Sequence, residues 1–242
     1  QKILSDIPKH IKICDLSADF RFDDIYMYEK VYDKKHEARE LQEEAIYGLT
    51  EINRVKIKNA RFVSNPGCYP TSALLPILPL IDNNIIQYGN IVVDSKSGVS
   101  GAGRTLKENL LFGEVSESFS AYGLVNHRHR PEIQNQIDKI GSTEYKVLFT
   151  PHLLPIKRGI LSTIYLNIND KFNLDDVVNC LKDKYSEEKF VHYSETLPST
   201  HDVRGTNICK MKAVFDSITN KIIIISVIDN LIKGASGQAI QN

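Results

Sequence analysis

The chain has 242 residues, 42% of them hydrophobic, which suffices for one large domain or two modest ones with a substantial core. Its 30 lysines and arginines balance 30 aspartates and glutamates, so no basic footprint for nucleic acid or an anionic membrane exists. The strongly apolar runs, such as residues 222–228, are far shorter than a membrane span.

In chain order, residues 12–16 read as a short strand running into Ser17, Ala18 and Asp19. A polar stretch follows, with a helix expected near residues 35–43. Tyr47-Gly48-Leu49 reads as a turn, and residues 56–63 as an extended segment ending at Pro66-Gly67. A mostly apolar helix should begin near Thr71, its expected cap, and bend or end at Pro76 and Pro79. Residues 90–94 read as a strand, 95–103 as a small-residue loop and 106–111 as a short helix. The second half reads as extended at 114–121, 145–149, 159–168, 189–193, 209–216 and 221–228, with helices at 131–140 and 174–185. Several strands with few helices indicate an α+β domain whose sheet is covered on one face.

Cysteines 14, 68, 180 and 209 form no CxxC pair, so neither a thiolate metal site nor a disulfide framework is expected. Reduced cysteines of a cytoplasmic protein are the plain reading. Cys68 alone has a reactive setting. A strand-forming stretch leads into Asn65-Pro66-Gly67, and a helix-compatible segment follows. The glycine permits a sharp turn, and helix amides directed back at the sulfur favour thiolate. A buried structural cysteine is the alternative.

The densest polar cluster is Asn126-His127-Arg128-His129-Arg130-Pro131-Glu132. Its histidines lie two apart and face opposite sides if the stretch is extended, so one can serve as acid/base for Cys68. A solvated basic loop is the other reading. Lys157 and Arg158, between two expected strands, suit a carboxylate or phosphate, or are ordinary surface charges. Residues 95–104 allow close approach of a ligand to backbone amides. Asn230 has the groups to bond a carboxamide, and the glycines after it permit close approach. Asp19 and Arg21 either shape a loop or face ligand. The run Gly98 to Gly103 lacks the G-x-G-x-x-G spacing of a dinucleotide turn.

Six strings occur in one order: DLSADFR (15–21), NPGCYPT (65–71), SGVSGAGR (97–104), HRHRPEI (127–133), TPHLLPIKRGI (150–160) and DNLIKGASGQAIQ (229–241). On them the chain resembles the N-acetyl-gamma-glutamyl-phosphate reductase family, within the wider aspartate-semialdehyde dehydrogenase group. The resemblance implies an α/β fold with an α+β insertion: part of a Rossmann domain (1–67), a mixed-sheet catalytic and dimerisation domain (68–228), and a segment starting the helix that returns to the Rossmann domain (229–242). Family members begin with a strand and glycine-rich turn that this chain lacks, and it starts at Gln1 rather than methionine, so a piece of the enzyme is expected.

By resemblance, the activity is NADPH-dependent reduction of an acyl phosphate in arginine synthesis, through a cysteine thioester. Cys68 is then the nucleophile and His127 the acid/base, with His129 in reserve or on the substrate side. Arg21, Lys157 and Arg158 are further substrate-side residues. Ser97, Gly98, Gly101, Gly103, Asn230 and Gly234 lie on the cofactor side. A homodimer or homotetramer is implied, without metal, nucleic acid or membrane. The alternatives are a related enzyme acting on aspartyl phosphate and a non-catalytic dimerisation subunit.

Overall fold

The computed structural model describes residues 4–103, 107–141 and 144–242. The first unit alternates short strands and helices: β1 (Ile13–Asp15), α1 (Ile25–Tyr32), α2 (Arg39–Glu44), β2 (Ala45–Tyr47), α3 (Thr50–Asn59) and β3 (Phe62–Ser64). The strands form a parallel sheet in the order β1-β3-β2, with Phe62 opposite both Ile13 and Ala45. Parallel neighbours need crossovers, which α1, α2 and α3 supply.

The long helix α4 (Cys68–Asp82) then leads into β4 (Gly89–Gly98), α5 (Phe112–Val115), β5 (Ser120–Ala121), α6 (His129–Ile140), β6 (Tyr145–Leu154), β7 (Ile160–Asn167), α7 (Leu174–Tyr185), β8 (Val191–Tyr193), β9 (Cys209–Asp216) and β10 (Lys221–Ile228). Among the described residues these strands build a seven-stranded mixed sheet ordered β5-β6-β4-β7-β10-β9-β8. Alternation along each strand puts Ile91, Val93, Val147, Phe149, Ile164, Leu166, Ile222 and Ile224 into the core. Helices α4, α6 and α7 cover that face. A π-turn (Ile232–Ser236) and α8 (Gly237–Gln241) follow β10 and pack back on the first unit. There Gln238 Nε2 donates to the Gly48 carbonyl at 3.1 Å and to Thr50 Oγ1 at 2.7 Å.

The outer face of the sheet is half-exposed and carries an apolar row. Leu148, Val92, Tyr165, Ile223 and Val214 stand in register across five adjacent strands.

Several sequence expectations are corrected. Residues 56–59 are helical, within α3, and the strand is only Phe62–Ser64. The β-branched Ile57 and Val63 suit extension, but Ile57 is buried from the helix together with Thr50 and Glu51. Helix α1 was not anticipated; Asp24 caps it by accepting from the Tyr26 amide at 2.8 Å. The small-residue segment from Ser95 to Gly98 continues β4, and β6 extends through Leu154. Within 114–121 only Ser120–Ala121 is strand. The helix expected at 106–111 is a 3-10 turn at Glu108–Leu110, with Leu106 outside the described residues.

Helix α4 begins at Cys68, not at Thr71, and runs through Pro76 and Pro79 without ending. Thr71 is not the cap: its hydroxyl turns back to the Gly67 carbonyl at 3.0 Å. Pro70 lies in the first turn, where its missing N–H costs nothing. Pro79 has no N–H for the Leu75 carbonyl, and the Tyr185 hydroxyl of α7 donates to that carbonyl instead. Every side chain from Tyr69 to Ile81 is buried. Each large apolar one stabilises by roughly 1.5–3 kcal/mol, which outweighs the local loss at the prolines.

Candidate active site

Strand β3 ends at Ser64, and Asn65-Pro66-Gly67 turns the chain so that Cys68 is the first residue of α4. Gly67 has φ −65° and ψ 154°, which any residue adopts. The glycine is therefore not required by a sharp turn, contrary to expectation. It is required by crowding: a Cβ there would stand 2.6 Å from His129 Nε2 and 3.0 Å from Arg21 Nη1. Gly234 has the same property on the other side. A Cβ at Gly234 would stand 2.7 Å from the Cys68 Cβ. The partly buried sulfur residue is thus flanked by two positions where backbone must come close.

Three elements converge on this turn. From α6, Glu132 is wholly buried, and its Oε1 accepts from the Gly67 amide at 2.9 Å and from the Tyr47 hydroxyl at 2.8 Å. Its Oε2 pairs with Arg21 Nη1 at 3.2 Å. Arg21 also donates from Nε to the Asn65 carbonyl at 2.9 Å and from Nη2 to the Leu16 carbonyl at 3.1 Å. The guanidinium, expected on the substrate side, braces the Asn65-Pro66-Gly67 turn before Cys68. Glu132 was overlooked in the sequence, although an acidic residue after Pro131 at a helix start was a visible signal.

The two histidines occupy different places. His129 Nε2 lies against Gly67, and its Nδ1 is buried without a hydrogen-bond partner among the described residues. His127 stands in an aromatic box, with the rings of Tyr69, Tyr122 and Phe149 at 5.7, 5.4 and 5.3 Å. Its Nδ1 accepts from the His129 amide at 3.1 Å. Neutral His127 therefore carries its proton on Nε2 and offers a donor there, with no lone pair free to take a proton. His129 has the free lone pair.

Burial dominates the electrostatics. It pushes the Cys68 thiol up to about 11, with Glu132 adding to the rise and the Tyr69 amide and Arg21 opposing it. It pulls His127 down to about 4, and Arg128 contributes. His129 is held well below the ordinary range by burial, His127, Arg21 and Arg128. At neutral pH the resting pair is thiol and neutral imidazole.

Of the residues expected on the cofactor side, Ser97, Gly98, Gly101 and Asn230 lie together. Asn230, at the end of β10, accepts from the Gly159 amide at 2.7 Å and donates to Ser100 Oγ at 3.0 Å. Ser100 Oγ donates to the Lys157 carbonyl at 2.6 Å, and the Ser97 hydroxyl donates to the Gly98 carbonyl at 3.1 Å. Gly98 and Gly101 are packed too closely for a side chain: a Cβ would stand 2.8 Å from the Ile156 carbonyl oxygen at Gly98 and 2.7 Å from Ser97 Oγ at Gly101. Gly103 has φ +82°, a region that favours glycine. Arg104 lies outside the described residues. Lys157 and Arg158 are exposed on the β6–β7 turn, and Arg158 Nη1 is 3.9 Å from the buried Asp229 carboxylate.

The family model described as "Semialdehyde dehydrogenase, dimerisation domain" matches residues 68–230. The probable chloroplastic N-acetyl-gamma-glutamyl-phosphate reductase of Arabidopsis thaliana is 50% identical, over 100% of this chain and 61% of that protein. The N-acetyl-gamma-glutamyl-phosphate reductase of Caldicellulosiruptor bescii is 48% identical, over 100% of this chain and 70% of that protein. The chain thus spans about six-tenths of the plant relative's length. Among solved structures, aspartate semialdehyde dehydrogenase II of Vibrio cholerae superposes with a TM-score of 0.64 at 16% identity, over 82% of this chain and 67% of that one. That likeness shows a shared fold.

The thiol setting gives a direct expectation. Iodoacetamide should modify Cys68 slowly at pH 7–8, where a thiol held at about 11 is thiolate on the order of one part in ten thousand to one in a thousand. The rate should climb steadily toward pH 11, as read by mass-spectrometric mapping of the Cys68 peptide. A plateau reached by pH 8 would contradict the burial argument.

Proposed function

The chain belongs to the N-acetyl-gamma-glutamyl-phosphate reductase family, and on that premise we propose that it reduces N-acetyl-L-glutamyl 5-phosphate to the 5-semialdehyde, using NADPH, in arginine synthesis. The observation that carries this reading is that Gly234 closes against Cys68 while Gly67, the residue before it, closes against the His129 imidazole. The proposed division into 1–67, 68–228 and 229–242 is supported by the hydrogen bonds from α8 back to Gly48 and Thr50. A reducing compartment, cytoplasmic in the sequence reading, belongs to the same proposal, because the reaction needs Cys68 as a free thiol.

In the proposed mechanism the Cys68 sulfur attacks the acyl carbon, and its proton passes to His129. Proton transfer accompanies attack, because the buried pair is neutral beforehand. The carbon–oxygen bond to phosphate breaks, phosphate leaves with the electron pair, and a thioester remains on Cys68. Arg21, whose charge favours thiolate, supports the sulfur at this step. His127 donates from Nε2 toward developing oxygen charge.

Toward a nicotinamide ring these residues offer a fixed wall: Gly98 packs directly against the backbone of residues 156–158, and the buried Asn230 holds the 97–101 and 156–159 segments together. NADPH, when bound, supplies the hydride that reduces the thioester carbon. On collapse of the resulting hemithioacetal the carbon–sulfur bond breaks, the aldehyde leaves, and Cys68 regains its proton from His129. Lys157 and Arg158, exposed on the adjoining turn, are the proposed anion contacts of the substrate side.

In the full-length polypeptide, Cys68→Ala should abolish NADPH-dependent semialdehyde formation. His129→Asn should lower kcat on the order of 10²- to 10⁴-fold, and His127→Asn should cost less. Stopped-flow turnover checks the order. Equal activity of C68A and parent, or a larger loss in H127N than in H129N, would reject the assignments. Turnover of aspartyl phosphate in preference would move the substrate to the related enzyme class.

We further propose that the Leu148-Val92-Tyr165-Ile223-Val214 row pairs with a second copy of the chain, as the matched dimerisation-domain description suggests. Ile223→Glu puts a charge within it, next to the central Tyr165, and should convert a dimer to monomer in sedimentation velocity. An unchanged sedimentation coefficient would remove this face as the interface.

A further inference from the structure

The Glu132 carboxylate is wholly buried and makes no contact that the proposed reaction consumes. Its partners come from three separate stretches: Arg21 after β1, Tyr47 at the end of β2, and Gly67 just before α4. Glu132 itself lies three residues beyond His129 in the first turn of α6. One side chain therefore fixes both the turn that presents the thiol and the helix that presents the imidazole.

We propose that Glu132 is a positioning residue for the nucleophile: its carboxylate clamps the Gly67 amide, the Tyr47 hydroxyl and the Arg21 guanidinium, and so holds Cys68 and His129 in mutual register. The proposal rests on the reading of Cys68 as nucleophile. The geometry leaves little slack. Gly67 is already so close to the His129 ring and to Arg21 that a Cβ would clash with both. Release of the Gly67 amide lets the turn move away from the ring. A displacement of about 1 Å at a reacting atom costs on the order of 10²-fold in rate.

Glu132 also has an electrostatic consequence that mere packing lacks. The ionisable groups acting on the sulfur are Arg21 and Glu132, and those on which it acts include Tyr69 and Tyr122. The carboxylate offsets Arg21 beside Cys68. Removing its charge leaves the guanidinium uncompensated, which favours thiolate.

The test uses Glu132→Gln, Glu132→Ala and Tyr47→Phe in the full-length polypeptide, with steady-state kinetics and the pH profile of Cys68 alkylation. Glu132→Ala should lower kcat on the order of 10²-fold, with KM within about threefold. Glu132→Gln, which still offers Gly67 an acceptor, should recover at least about tenfold of that loss. Both should shift the alkylation profile to lower pH. Tyr47→Phe removes one donor but keeps the charge, and should lower kcat several-fold with an unshifted profile. If Glu132→Ala does not fold, the other two variants carry the test.

Retention of parental kcat within twofold in Glu132→Gln and Tyr47→Phe, with an unshifted alkylation profile in Glu132→Gln, would overturn the proposal. So would equal losses in Gln and Ala with no profile shift, because that pattern is purely structural. Absence of acyl-phosphate turnover in the parent would reject the proposed function instead, while the alkylation profile would still decide the role of Glu132.

Discussion

The hydrogen bond from the Gly67 amide to the buried Glu132 carboxylate joins the parts of this molecule. A carboxylate out of water is tolerated only when paired and bonded, and Glu132 meets that condition through Arg21, Tyr47 and Gly67. Those three residues belong to the parallel-sheet unit and its exit, whereas Glu132 belongs to a helix covering the seven-stranded sheet. A second buried ion pair repeats the arrangement on the far side. Lys233 and Glu51 approach to 2.6 Å with neither exposed, and Gln241 bonds both. Lys233 precedes Gly234, so this pair anchors the π-turn that lies against Cys68. The thiol sits between two charged clasps, each crossing from one sheet to the other.

This enclosure decides the protonation state. Cys68 begins a helix, and a helix terminus favours anionic sulfur by about 0.3–1 kcal/mol. A rise from 9.0 to about 11 amounts to roughly 3 kcal/mol, so burial wins. The site is accordingly built around a neutral thiol and a neutral imidazole rather than a standing ion pair. Charge then develops only when an electrophile occupies the site, beside an arginine that already compensates a neighbouring carboxylate. Such a thiol is protected from adventitious modification.

The candidate site's local features were legible in the sequence, its residue roles remaining part of the proposal. Cys68 stood out from the other cysteines by its turn and helix, and Asn230 by the glycines after it. The alternating strands of the second half were legible from their period, β7, β9 and β10 above all. Tertiary facts were not legible. Nothing in the string shows that Gly67 is demanded by a histidine 62 positions away in sequence, or that Tyr185 takes over the carbonyl freed at Pro79. The resemblance put His127 first and His129 in reserve, because spacing alone does not separate two identical residue types. The difference between them is a single backbone-to-ring hydrogen bond, which fixes one tautomer and leaves the other imidazole free. Helix α3 was misread because β-branched residues on a short amphipathic helix mimic extension. Arg21 was visible as a loop cation, but its role as a brace needed the positions of Asn65, Leu16 and Glu132.

Covalent capture at one sulfur is the premise of the proposed reaction. The most direct measurement is the intact mass and peptide map of full-length enzyme acid-quenched after exposure to N-acetyl-L-glutamyl 5-phosphate without NADPH. An N-acetylglutamyl adduct is expected on the Cys68 peptide, lost on treatment with hydroxylamine. Full conversion on later addition of NADPH, with no adduct at Cys68 beforehand or with the adduct on another residue, would contradict it.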